Sequence, residues 1–324
     1  MSVHLRAAGG FHVGGAEAVV RGLPPYEAIF AAGSPPRPVD PNGTFQAWGG
    51  YCQYHLLAEP RRPAPVLLVH GGGMTGVTWE DTPDGRPGWQ WRLLEAGFDV
   101  YTADAMERGR SGWSRWPEIF PEPAIHRSKE WAWDLFRMGP PGSFAGREAW
   151  AGQRFPVAAY DQFCRQAVPR WPGHDDRVQQ TWDEMLAEIL ERDGRRVILV
   201  AHSQGGAFAM RLALRFPERV AGLIAVEPSG TPAGEPGADP ATLAGVPHLL
   251  IWGDRIVGHP VWEGYRANVE RWWDRLRAAG GQADVWDLPA MGIAGNSHFP
   301  MMDDNSDAVL ARAIDWLEKA DAIR

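Results

Sequence analysis

Residues 197–206 read VILVAHSQGG, and the helical pattern AFAMRLALRFPE follows directly. A short apolar run without polar alternation is buried on both faces, which places it inside a parallel sheet. The passage from strand to helix through A-H-S-Q-G demands a sharp turn at Ser203. Ala201 stands where the first Gly of G-x-S-x-G would be, and a small residue still lets the chain turn without collision. In such a turn the Ser203 hydroxyl stands above the C-terminal edge of the sheet, where open α/β sheets bind ligands. The helix that follows aims its N-terminal amides at the same place. A Ser between strand and helix is also a common N-cap, so the motif takes its meaning from the rest of the chain.

That context is an alternation of strands and helices. VLLVH at 66–70 is a second unbroken apolar run, followed by a Gly-rich loop, a helix around 90–96 and the strand FDVYTAD at 98–104. After residue 180 come TWDEMLAEILERDG (helix), RVILVAHS (strand), a helix, RVAGLIAVEP (strand) and HLLIWGD (strand). A helix over 261–279, the strand ADVWDLP and a last helix over 305–319 complete the series. This order predicts an α/β fold with a mostly parallel central sheet and helices on both faces. Between residues 11 and 57, short apolar runs broken by Gly, Pro and Asn predict antiparallel strands.

Regularity breaks between residues 113 and 182, where seven of the 17 Trp fall among eight Pro. We read this stretch as a cap inserted above the sheet. The expected organisation is a first part of the core at 1–112, the cap at 113–182 and the rest of the core at 183–324. Indole rings offer large, rigid contact area. Trp113 and Trp116 are therefore expected to roof an apolar substrate pocket, the alternative being that the cap's Trp residues form its own small core.

The formal charge of −8 and the absence of any Lys/Arg-rich run exclude nucleic acid as the main partner. No stretch approaches the roughly 18 apolar residues of a membrane span, and the start lacks the apolar core of a secretory signal. The expected location is cytoplasmic by default, or periplasmic or secreted for a processed mature form. Cys52 and Cys164 are far apart and lack CxxC spacing, so two free thiols are expected and no redox or metal site.

Two further motifs carry chemistry. HGGG at 70–73 follows the strand VLLVH, and a Gly run can turn its amides towards developing negative charge. Gly72 is the expected oxyanion donor, with the amide of Gln204 as its partner. GNSHFPMMD places His298 in a loop between the last strand and the last helix, from which it could reach Ser203. His70 and His202 lie inside motifs and read as structural. The acid that orients the imidazole has two candidates at strand ends, Glu227 and Asp254, and either could fix the tautomer. Both follow the Ser and precede the His, the order of this fold.

With these residues in place, the chain resembles the α/β-hydrolase superfamily and, within it, the bacterial esterase 713 family of carboxylesterases. The likeness covers nearly the whole chain and rests on RPVDPNG at 37–43, LLVHG, TGVTWEDTPDGRPGW at 75–89, the RGRS turn, the Ser elbow, AVEP, Gly253-Asp254 and GNSH. The resemblance implies a carboxylesterase with Glu227 as triad acid, oxyanion amides at Gly72 and Gln204, and a homodimer. The family's oxyanion loop carries two adjacent Cys where this chain has Gly72 and Gly73, so no vicinal disulfide carries over.

Local detail also favours Glu227. Pro228 stops helix continuation and presents the carboxylate in a turn, whereas Asp254 falls two positions short of a G-x-x-D spacing from Gly253. The expected reaction is hydrolysis of a small to medium carboxylic ester through an acyl-enzyme on Ser203, with no cofactor and no metal. A lactonase or amidase would use the same groups, and a ligand-binding protein on the same fold is the rival outside enzymes.

Overall fold

The computed structural model describes residues 2–112, 114, 116–170, 172–320 and 322. The chain opens with the long strand β1 (Leu5–Val20), the short strands β2 (Tyr26–Ala28) and β3 (Arg37–Val39), and β4 (Gly43–Leu57). Then come β5 (Val66–Val69), α1 (Val77–Glu80), α2 (Trp89–Glu95) and β6 (Val100–Asp104). An irregular excursion holds α3 (Lys129–Leu135) and α4 (Tyr160–Cys164). The second half runs α5 (Asp175–Asp193), β7 (Val197–His202), α6 (Gln204–Arg215), β8 (Val220–Val226), β9 (His248–Trp252), α7 (Trp262–Ala278), β10 (Ala283–Asp287) and α8 (Ser306–Lys319).

Eight strands form one sheet in the order β1-β4-β6-β5-β7-β8-β9-β10. β1 pairs antiparallel with β4, and β4 with β6; the pairs from β6 to β10 are parallel. The antiparallel N-terminal region is thus two strands of 16 and 15 residues plus a separate two-stranded ribbon, fewer and longer pieces than the short apolar runs suggest. Gly14, Gly15, Gly49 and Gly50, which look like breaks in the sequence, lie within continuous strands, and Gly9 and Gly10 leave room for the rings of Tyr54 and Tyr51 on the partner strand.

Strand alternation explains why the parallel strands are apolar throughout. Ile198 and Val200 of β7 face a layer containing Leu93 and Leu94 of α2 and Leu310 and Leu317 of α8. Val197, Leu199 and Ala201 face Met185 and Ile189 of α5, Leu212 of α6 and Trp272 and Trp273 of α7. Each such side chain removed from water contributes roughly 1.5–3 kcal/mol before conformational entropy is set against it.

The expected cap boundary at 182 falls inside α5. That helix carries Trp182, Met185 and Ile189 into the core beside the sheet, so the excursion ends just before Asp175. Among the described residues both cysteines are free, no helix is long and apolar enough to cross a membrane, and no cluster of three or more His, Cys, Asp or Glu could hold a metal ion.

Candidate active site

Ser203 sits between β7 and α6 with φ 53° and ψ −122°, a conformation that a side chain rarely adopts. Its surroundings hold it there. Ser203 N donates to Val226 O at 3.0 Å, while Ser203 O accepts from Gly206 N at 3.0 Å and Ser229 N at 3.2 Å. The two glycines after Gln204 allow the close approach. A Cβ at Gly205 would lie 2.5 Å from the carbonyl oxygen of His70, and one at Gly206 would lie 2.6 Å from Pro228 Cβ. Helix α6 can therefore press against both the loop after β5 and the turn after β8.

The loop after β5 is anchored by His70. Its Nε2 accepts from Ala105 N at 3.0 Å, so the proton is on Nδ1, which donates to Gly71 O at 2.8 Å. Burial pushes the His70 imidazole down to about 4, which keeps it neutral. The role is structural, as its place inside the motif suggests. A Cβ at Gly71 would meet His202 Nδ1 at 2.8 Å and Ser203 Cβ at 3.0 Å, so the loop lies directly on the elbow. Gln204 is the first residue of α6, and its amide has no acceptor within the helix.

Glu227 directly follows β8 in a second strained turn, with φ 50°. Its Oε1 accepts from Arg137 Nη2 at 2.7 Å and from Gly253 N at 2.5 Å, and its Oε2 lies 3.1 Å from His298 Nδ1. Because the carboxylate only accepts, Nδ1 carries the imidazole proton and Nε2 is left as a bare acceptor. That Nε2 is buried and has no protein partner. The ring stacks on Phe136 at 5.2 Å, with an interplanar angle of 12°, and packs against Trp262 at 4.1 Å. Desolvation in this aromatic setting holds the His298 imidazolium well below its ordinary range, and the cations Arg137 and Arg127 push the same way.

The other candidate acid has different work. Asp254 Oδ2 accepts from Gly295 N at 2.8 Å and its Oδ1 from Arg255 N at 2.7 Å, tying down the loop that leads to His298. Asn296 and Ser297 of the GNSH motif are fixed through the buried Asp303, which accepts from Asn296 Nδ2, Ser297 N and Ser297 Oγ.

Ser203, Gln204, Gly71, Gly72 and His298 line one cavity of about 340 Å³. Its far walls come from Ile125, Arg127, Trp131 and Arg170 of the excursion and from Val261, Trp262 and Tyr265 at the start of α7. Of the two Trp expected to line it, one is among the described residues. Trp116 packs on Phe45 at 5.2 Å in a separate apolar cluster with Met106, Ile119 and Phe120, and is not part of the cavity wall. Trp113 lies outside the described residues. Arg137, Trp262 and Trp131 escaped sequence reasoning. Arg137 and Trp131 sit in a segment without periodicity, and Trp262 reads as one more apolar residue opening a helix.

Comparison with known proteins agrees with this architecture. The alpha/beta hydrolase family model matches residues 140–290. The solved structure of a bacterial esterase superimposes with a TM-score of 0.82 at 28% identity, over 99% of this chain and 98% of that one. A probable secreted lipase, phiG, from a fungal species (strain ATCC 74256) is 23% identical over 346 residues, 86% of this chain and 88% of the relative. A shorter match, 37% identical over 82 residues, is to the rat 1-acylglycerol-3-phosphate O-acyltransferase ABHD5, of which it spans 23%. The protein has the α/β-hydrolase fold. Within that class it resembles bacterial esterases.

Proposed function

We propose that this protein is a serine carboxylesterase acting on small to medium esters, with Ser203 as nucleophile, His298 as general base and Glu227 as the acid that orients it. One observation carries the reading: His298 is fixed through Nδ1 by Glu227 while its Nε2 is free of protein partners, in a residue that lines the same cavity as Ser203. His298 Nε2 takes the Ser203 proton as Oγ bonds to the ester carbonyl carbon. The carbonyl π electrons move to oxygen, where the amides of Gly72 and Gln204 donate to the oxyanion, each worth on the order of 3 kcal/mol in comparable sites. Collapse expels the alcohol, which takes the proton from His298, and leaves an acyl group on Ser203. Water then attacks the acyl carbon as His298 takes its proton, and collapse breaks the bond to Ser203, whose Oγ takes that proton back from His298 as the acid leaves.

Trp262, Phe136 and Leu135 give the cavity an apolar wall beside His298, which suits an apolar part of the ester. Hydrolysis of p-nitrophenyl butyrate tests the reading together with labelling by a fluorophosphonate and mass analysis of the labelled peptide. Turnover above the Ser203→Ala control, with the label on Ser203, is the expected result. No turnover and no label would favour a binding role on the same fold.

A further inference from the structure

The cavity holds positive charge that ester hydrolysis by the Ser203 machinery does not need. Arg127 and Arg170 both line it, and they are brought side by side by a local pairing in the excursion. Ile125 N donates to Arg170 O at 2.7 Å and Arg170 N donates to Ile125 O at 3.1 Å. Arg127 Nη1 donates to Gly72 O at 2.7 Å, and its guanidinium lies over the rings of Trp131 and Phe136 at 5.7 and 5.8 Å. Gly73 makes room for it: a Cβ there would meet Arg127 Nη1 at 2.7 Å. The Nε atoms of Arg127 and Arg170 are buried without a partner. Behind them Arg108 lines a small chamber shared with Arg170 and is itself only 8% exposed. Burial and the charges of Arg170 and Arg127 push the Arg108 guanidinium down to about 10.

Among the described residues, none of the three pairs with a carboxylate. Asp175 lines the chamber with Arg108 and Arg170, but its Oδ1 accepts from Gln204 Nε2 at 3.4 Å. Glu107, next to Arg108, accepts from Ser114 N at 3.0 Å. Other arginines near buried carboxylates in this chain are paired, as Arg137 is with Glu227 and Arg195 with Asp99. Converging, partly desolvated guanidiniums repel one another and are stabilised by an anion between them. A carboxylate, with two oxygens in one plane, matches the guanidinium fork.

We propose that Arg127 and Arg170, backed by Arg108, form an anion subsite of the catalytic cavity, and that the preferred substrates are esters bearing a carboxylate in the acyl or the alcohol part. The proposal rests on the esterase reading for its chemistry, and on the unpaired guanidiniums for its specificity. A bound carboxylate also screens Arg127 from His298, so the base is strengthened when the right substrate is present.

The test is a charge-specificity ratio, followed by pH-stat titration. Monomethyl glutarate is compared with the uncharged methyl glutaramate for a carboxylate on the acyl side, and O-acetylglycolate with O-acetylglycolamide for one on the alcohol side. In the wild type, kcat/KM for the anionic member of at least one pair should exceed that of its neutral partner by about tenfold or more at low ionic strength, and salt should reduce the gap. Arg170→Gln should abolish the preference and Arg170→Lys keep part of it, both with wild-type circular dichroism. Arg127→Gln provides a second removal of charge should Arg170→Gln fail to fold. Equal or lower kcat/KM for both anionic members, with the neutral esters turned over, overturns the subsite and leaves the esterase reading standing. If no ester is hydrolysed above the Ser203→Ala level, the esterase reading fails, and calorimetric titration with monomethyl glutarate decides the subsite alone. Binding that Arg170→Gln weakens by about tenfold or more upholds it, and absence of binding to the wild type rejects it.

Discussion

Arg137 Nη2 lies 2.7 Å from Glu227 Oε1, with both side chains at most 1% exposed. The arginine comes from the excursion and the glutamate from the end of β8, so this ion pair joins the excursion to the sheet at the site itself. Arg137 Nε also donates to Asp254 O at 2.8 Å, and Gln153 Nε2 holds the Arg137 carbonyl at 2.8 Å. Removing one member of a buried pair leaves the other unpaired in a dry site, which costs about 3–5 kcal/mol. Arg137→Met should therefore lower the urea midpoint sharply and reduce kcat, because the Glu227 carboxylate loses a fixed partner. Arg137→Lys, which keeps the charge without the fork, should fall between. Unchanged stability in Arg137→Met would show that the pair contributes nothing net.

Glu227→Gln should fold yet lose kcat by up to about ten-thousandfold, the scale seen when an imidazole is held in the wrong tautomer. Asp254→Asn keeps one acceptor oxygen but weakens the hold on Gly295 N and Arg255 N, so about 1–2 kcal/mol of stability should go while most of kcat stays. Measured side by side, a collapse of kcat in Asp254→Asn with a near-normal Glu227→Gln would reverse the assignment of the acid.

The acid limb of the pH profile reports His298. Since burial, Arg137 and Arg127 all disfavour its protonated form, kcat/KM for a neutral ester should stay level below pH 6.5, with its acid midpoint lower than that of a free imidazole. In Arg127→Gln one cation is gone, so the midpoint should move up. A midpoint at or above 6.5 in the wild type would contradict the depressed base.

Global stability should also fall with acid. His70 and His248 are each held down to about 4 by burial, and His202 and His298 lie well below their ordinary value. Between pH 6.5 and 4 the unfolded chain therefore binds more protons than the folded one, and stability is lost as pH falls through that window, on the order of 3 kcal/mol for each group shifted to 4. Asp303, pushed up to about 7 by burial, acts in the opposite sense and offsets one of the four. Urea midpoints at pH 7.5 and pH 5 should differ clearly, the lower pH being less stable; equal midpoints would rule out the buried neutral histidines as a net term.

Two Gly→Ala changes should have opposite signs. At Gly205 the new methyl meets backbone oxygens of His70 and Val69 at 2.5 and 2.9 Å, neither of which can rotate away. Gly205→Ala should destabilise by about 1–3 kcal/mol and distort the elbow. Gly264, in the exposed first turn of α7, has nothing within 4 Å of the added methyl, so Gly264→Ala should stabilise by up to about 1 kcal/mol. Thermal melts of both variants check the pair.

What the sequence determined by itself was local. The unbroken apolar runs of β5, β7, β8 and β9 required a sheet covered on both faces, and the small residues around Ser203 required a tight strand-to-helix turn. Residues at strand ends, Glu227 and Asp254, had to fall at the sheet's C-terminal edge, because strand direction in a parallel sheet leaves no other place. Which of the two meets His298 was decided by strand order and by the loop from Gly295 to His298, which holds Asp254 through the Gly295 amide and the Asn296 carbonyl. The excursion was not legible beyond its existence. It has Pro and Trp but no period, so the direction of each side chain follows from contacts far away in the chain. Trp116 was drawn to Phe45 and Ile119 under the N-terminal strands, while Trp131, Arg127 and Arg170 reached the cavity through the pairing of Ile125 with Arg170. The Arg137–Glu227 contact spans 90 residues, and only tertiary packing brings such groups together: periodicity and turn chemistry encode a few neighbouring residues, not a distant charge.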